Sequence, residues 1–266
     1  MKIFMSADIE GVAGCTLKEE CHKERPEYAK FAEQMTLEVL AAIEGAVAAG
    51  ADEIVIKDGH GSATNIDVLR MPKYATLIRG KSGHPYNMMY GLDDSFDGVM
   101  YIGYHSGAGM STSPLSHTNT GNPSCIKING EHASEFMVNS YIASMHNVPI
   151  LFISGDQGIC NAAKKLVPNI ITVETKIGVG GSTINVSPGK IIELIKENVE
   201  KSLKKDTKQN LLELPNEFED VIKFKDHINA YKMSFYPKME AVDSNTIKMV
   251  TDNFMDIVTA HSFVLY

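Results

Sequence analysis

The chain has 266 residues, 44% of them hydrophobic and 22% charged, enough to bury a large core as one domain or as one domain with an appendage. Its 25 basic and 33 acidic residues leave a formal charge of -8, which argues against nucleic acid or an anionic membrane as the main partner. No run is apolar for the length of a membrane span, and the N-terminus enters a strand with no sign of a secretion signal, so a cytoplasmic location is expected.

Lys2-Ile3-Phe4-Met5-Ser6-Ala7 reads as a short buried strand, followed by Asp8-Ile9-Glu10 and then by Gly11 and Gly14, which break the run. Extended backbone alternates its side chains, so Asp8 and Glu10 are expected on one face at the strand mouth. Two like charges there repel, and a divalent cation relieves the repulsion. A single acid in this place is more commonly a helix cap. Glu27 to Ala49 has helical periodicity and Gly50 as its stop. The next strand, Glu53 to Lys57, ends in Asp58-Gly59-His60-Gly61, and a shorter one covers Ala75 to Ile78. Gly98 to Gly103 is a buried run leading into Tyr104-His105, after which a long loop rich in small residues delivers Ser116-His117.

Ile126 to Ile128 precedes a turn at Asn129-Gly130 and a helix from about His132 to His146. Pro149 to Ser154 is a further core strand, and a helix runs from Gly155-Asp156 to near Val167. Ile170 to Glu174 comes next, then a loop with Gly178, Gly180 and Gly181, then a helix from about Pro188 to Lys204. The alternation predicts an α/β fold, a mostly parallel sheet flanked by helices on both faces, with a smaller C-terminal α+β unit. Residues 1–205 are expected to form the α/β domain that carries the site, and residues 206–266 a linker and the small domain.

In open α/β sheets ligands bind outside the carboxyl ends of the strands. Those ends carry Asp8 and Glu10, Asp58 and His60, and His105. One histidine at a strand end is usually structural, but two with paired acids favour a metal, and imidazole with carboxylate suits zinc. A serine-histidine hydrolase is disfavoured because Ser116 lacks the G-x-S-x-G elbow and its strand-to-helix setting. The loop at Gly178 lacks both a dinucleotide fingerprint and a Walker lysine. Cys15, Cys21, Cys125 and Cys160 form no CxxC pair and are expected as reduced thiols.

Several stretches occur in the order found in one family: Met5-Ser6-Ala7-Asp8-Ile9-Glu10-Gly11, Asp58-Gly59-His60-Gly61 with Asn65, and Gly91-Leu92-Asp93-Asp94. Gly103-Tyr104-His105, Leu115-Ser116-His117, and Ile128-Asn129-Gly130 running into Ser134-Glu135 complete the set. On these the chain resembles the zinc-dependent D-aminopeptidases of the dipeptide-permease-operon (DppA) type. The resemblance implies a site for two Zn2+ ions per subunit. Asp8 would bridge them, with Glu10 and His60 completing one position and His105 and Glu135 the other. His117 would be the catalytic histidine. It also implies a short peptide substrate containing D-amino acids and a homo-oligomer, with a decameric ring as the expected form. Glu131 is a rival to Glu135, being nearer the turn. The segment from His105 to His117 is a residue longer than the family form, so the likeness reaches the metal site more firmly than the substrate pocket. Another dinuclear hydrolase, an amidase or phosphoesterase, and a non-catalytic metal-binding protein are the alternatives.

Overall fold

The computed structural model describes residues 1–266. Its elements in chain order begin with β1 (Lys2–Ala7), α1 (Tyr28–Ala48), β2 (Glu53–Asp58), β3 (Ala75–Ile78) and β4 (Gly98–Tyr104). Then follow β5 (Pro123–Ile128), β6 (Glu131–His132), α2 (Glu135–Met145), β7 (Ile150–Asp156), α3 (Gln157–Leu166), β8 (Ile171–Val179), β9 (Ser182–Asn185) and α4 (Pro188–Leu203). The chain closes with β10 (Phe218–Phe224), α5 (His227–Met233), β11 (Glu240–Ala241), β12 (Thr246–Thr251) and α6 (Phe254–Val264). None of the helices is long and apolar enough to cross a membrane.

A seven-stranded sheet has the order β3-β2-β1-β4-β7-β8-β9. All its pairs are parallel except β8 with β9. Strand β1 shows why so short a segment can sit at the centre. Ile3, Met5 and Ala7 pack into a core with α1 and α4, while Phe4 packs into the core on the other face. Both faces are covered, as all-parallel sheets require. Ser6 shares the second face only because its hydroxyl bonds Tyr104 Oη at 2.6 Å and the Met88 carbonyl at 2.9 Å.

The second sheet has the order β11-β12-β10-β5-β6 and is antiparallel. Residues after 205 supply β10, β11 and β12, while β5 and β6 come from the earlier segment, so the two expected segments share one sheet. Its apolar face joins the same core as Tyr101, Phe136 and Ile142, through Ile126, Ile222, Ile247 and Met249.

Two local expectations change. The helix foreseen from His132 begins at Glu135, because Glu131 and His132 pair with β5 and Ser134 caps the helix, its hydroxyl accepting the Met137 N–H at 3.2 Å. The glycine-rich stretch at Gly178 is the β8–β9 hairpin, with Val179 paired to Ser182. Gly180, with φ +57, supplies the left-handed turn residue.

Candidate metal centre

Strand order decides which side chains meet. β1 lies between β2 and β4, with Ala7 in register with Asp58 on one side and Ile102 on the other. The segment after β1 is therefore flanked by the segments that carry His60 and His105. Asp8 and Glu10 do converge, but not by strand alternation. β1 ends at Ala7, and the chain turns, with the Val12 N–H donating to the Ile9 carbonyl at 3.2 Å and the Gly11 N–H to the Gly103 carbonyl at 2.8 Å. The turn presses so closely on β4 that a Cβ at Gly11 would stand 1.8 Å from the Tyr104 carbonyl oxygen. At Gly103, with φ +71, it would stand 2.3 Å from that of Asp8.

Two buried charges that sequence reading did not single out hold this turn. Lys176, on β8, donates from Nζ to the carbonyls of Glu10, Val12 and Cys15. Glu38, on α1, accepts the Ala13 N–H at 2.8 Å and the Gln34 side-chain amide at 2.9 Å. The available signal for Glu38 was an acid on the apolar stripe of α1, beside Met35, Val39 and Ala42.

His60 Nδ1 stands 3.3 Å from Asp8 Oδ1 and 3.0 Å from Glu10 Oε2. Its Nε2 lies 2.8 Å from the Cys21 carbonyl, to which it can only donate, so Nδ1 is the nitrogen left to face the cluster. His105 Nδ1 likewise donates to the Ser106 carbonyl at 2.9 Å, and its Nε2 is 3.4 Å from Asp8 Oδ2 and 3.7 Å from Glu135 Oε1. Glu135 occupies the first turn of α2, where the helix favours an acid, and accepts the Asn119 N–H at 2.7 Å. Glu131 lies elsewhere, exposed and paired with Lys165 at 2.6 Å. His117 Nδ1 bonds the Leu115 carbonyl at 2.8 Å, and its Nε2 is 3.7 Å from Glu135 Oε1 and 3.9 Å from Glu10 Oε1.

The ligand atoms fall into three overlapping groups, each within 4.8 Å of one another: Asp8-Glu10-His60, Asp8-His105-Glu135 and Glu10-His105-His117. Asp58, read among the strand-end acids, serves the scaffold instead. Its oxygens accept the N–H groups of Asn65 and Ile66 at 2.6 and 2.8 Å and the Asn65 amide at 2.6 Å, shaping the loop that presents His60. Asp156 does the same for the next segment. It caps α3 and binds the Ser106 N–H and hydroxyl at 2.7 and 2.6 Å, beside His105.

The donor set fits a metal. Glu10 Oε2 and His105 Nε2 are buried with no hydrogen-bond partner, a costly condition that a cation removes. Burial alone would raise the Asp8 carboxyl, but the imidazoles of His105 and His60 hold it well below the usual carboxylate range. Burial also works against charge on the two histidines. Glu10 and Asp8 nevertheless raise His60, and Glu135, Asp8 and Glu10 raise His105, well above the ordinary range. Burial pushes the Glu135 carboxyl up. Protons thus take the place of cations in this cluster, and metal binding would displace them. Above it opens a cavity of about 320 Å³ whose lining includes Asp8, Glu10, His60, His117 and Glu135.

Comparison with known proteins points the same way. The family described as D-aminopeptidase, peptidase M55, matches residues 1–263. A D-aminopeptidase of Bacillus subtilis (strain 168) is 30% identical over 217 residues, 81% of this chain and 78% of its own length. A solved structure described as the Zn-dependent D-aminopeptidase DppA from Bacillus subtilis, a self-compartmentalizing protease, superposes with a TM-score of 0.93. That likeness covers 100% of this chain and 97% of the other at 26% identity.

Proposed function

This chain belongs to the D-aminopeptidase family of M55 peptidases, and from that premise we propose that it is a dinuclear zinc aminopeptidase releasing N-terminal D-amino acids from short peptides. The observation that carries the reading is Asp8, whose two carboxylate oxygens face His60 and His105 separately. Asp8 would help to hold both ions, with Glu10 and His60 holding one and His105 and Glu135 the other. When bound, the two zinc ions lower the pKa of water and supply Lewis acidity.

The chain's own residues do the rest. His117, with Nδ1 committed to Leu115, presents Nε2 as the proton acceptor at the cavity and returns that proton to the leaving amine. The Asn119 N–H and the first turn of α2 hold Glu135 in place, and the Cys21 carbonyl fixes the ring of His60. The protein works in the cytoplasm as a homo-oligomer. Assembly is supported by the solved relative's description and by exposed Ile228, Tyr231 and Phe235 along α5 and just beyond it.

The test is an activity panel of D-Ala-D-Ala, its L-isomer and a phosphoester on zinc-loaded protein, with metal content measured alongside. Hydrolysis of the D-dipeptide, abolished by a chelator and restored by zinc at two ions per chain, is expected. Phosphoester turnover without peptide hydrolysis would overturn the reading.

A further inference from the structure

The cavity carries a second charge pattern besides the ligand cluster. Its only acids are Asp8, Glu10 and Glu135, and its lining also holds Lys18, Lys81 and Lys225. Once cations neutralise the acids, the wall is basic, against a formal chain charge of -8.

Lys81 stands apart from the other two in being held by its ammonium. Nζ donates to the Gly59 carbonyl at 2.9 Å and to Asn87 Oδ1 at 2.9 Å. An ammonium has three N–H donors, so one remains uncommitted to the protein in a group that lines the cavity. Gly59 immediately precedes His60, so the cation is tied to the segment that presents one ligand of the cluster. Burial lowers the Lys81 ammonium from its ordinary range, while Glu135, Asp8, Asp58 and Glu10 support its charge, which places it within the field of the site.

We propose that Lys81 sets specificity by receiving the free C-terminal carboxylate of a dipeptide on its remaining N–H. The inference rests on the aminopeptidase reading above. A substrate whose amino end lies at the metal cluster must project its carboxyl end along the cavity wall. The cavity, at about 320 Å³, is at the small end of ligand sites and suits a substrate of few residues. Selection then comes from a charge-assisted hydrogen bond that an amide or a longer chain cannot make at that point.

The experiment compares D-Ala-D-Ala with its C-terminal amide on zinc-loaded wild type, Lys81→Met and Lys81→Arg. Wild type is expected to favour the free acid about 10- to 100-fold in kcat/KM. In Lys81→Met the acid-to-amide ratio should collapse toward one, mainly through KM, and Lys81→Arg should restore part of it. Calorimetry of the same two compounds on zinc-loaded His117→Ala protein, in which turnover is slowed, should show the same preference and its loss when Lys81→Met is added. An unchanged ratio in Lys81→Met, or loss of zinc with equal damage to both substrates, would overturn the assignment. So would a wild type indifferent to the carboxylate, which decides the matter even if Lys81→Met does not fold. Failure of wild type to cleave either compound sinks the aminopeptidase reading instead, and the calorimetric comparison still decides Lys81.

Discussion

His105 and His117 lie face to face, their ring centroids 4.3 Å apart and their planes inclined by 17°. Each has Nδ1 tied to a backbone carbonyl, so both Nε2 atoms turn toward Glu135. His105 is fully buried, whereas His117 is partly exposed and lines the cavity, and the proposed division into a ligand and a proton-handling residue rests on that difference. His117→Ala is therefore expected to retain its zinc and lose about 10²- to 10⁴-fold in kcat, checked by metal analysis beside turnover. Loss of a metal equivalent in that variant would assign His117 to the Glu10-His105 group as a ligand.

Asp8 and Glu10 should fail differently. Asp8 faces both His60 and His105, while Glu10 Oε2 stands against His60. Asp8→Asn is expected to empty both metal positions and Glu10→Gln mainly one, read as metal per chain by mass spectrometry. Equal losses in the two variants would remove the bridging role from Asp8.

Asp58→Ala tests the support beneath His60. It strips the acceptor from the N–H groups of Asn65 and Ile66, both buried in the loop that presents the histidine. The expected cost is about 2–5 kcal/mol of stability in urea unfolding. Zinc affinity, measured by chelator competition, should weaken about 10- to 100-fold.

Glu38 should set a pH dependence of stability. Burial pushes its carboxyl up to about 7 from an ordinary 4.5, although Gln34 and the Ala13 N–H pull the other way. Between those values the folded state binds a proton that the unfolded chain has released, so this group's contribution falls as pH rises through the window. The effect is on the order of 3 kcal/mol across it. Thermal unfolding of Glu38→Gln, which keeps an oxygen for Ala13, should lack this loss. A wild type and variant with parallel pH profiles would contradict it.

The exposed aromatic pair Tyr231 and Phe235, with centroids 5.2 Å apart, is expected to lie in a subunit contact. Tyr231→Glu with Phe235→Glu should shift sedimentation toward smaller species while leaving zinc content intact. An unchanged assembly would move the contact elsewhere.

The strand-end chemistry was legible because it is local. An apolar run followed by Asp8-Ile9-Glu10, by Asp58-Gly59-His60 or by Tyr104-His105 announces a strand and a polar rim without reference to the rest of the chain. The α/β alternation followed from periodicity in the same way. The order of β2, β1 and β4 was not local, and it alone brings His60 and His105 to opposite sides of Asp8. Glu135 and Glu131 are four residues apart and equally acidic. The family resemblance favours Glu135, and the physical reason lies in the pairing of β6 with β5, which leaves Glu131 in solvent, and in the start of α2. Glu38 signals itself only by its place on the apolar stripe of α1 and Lys176 not at all, because distant packing is what buries both against one turn. The sequence by itself determined which residue types stand at which strand ends. The tertiary structure decided which of them share a site, because convergence depends on strand order and burial that no short window of sequence contains.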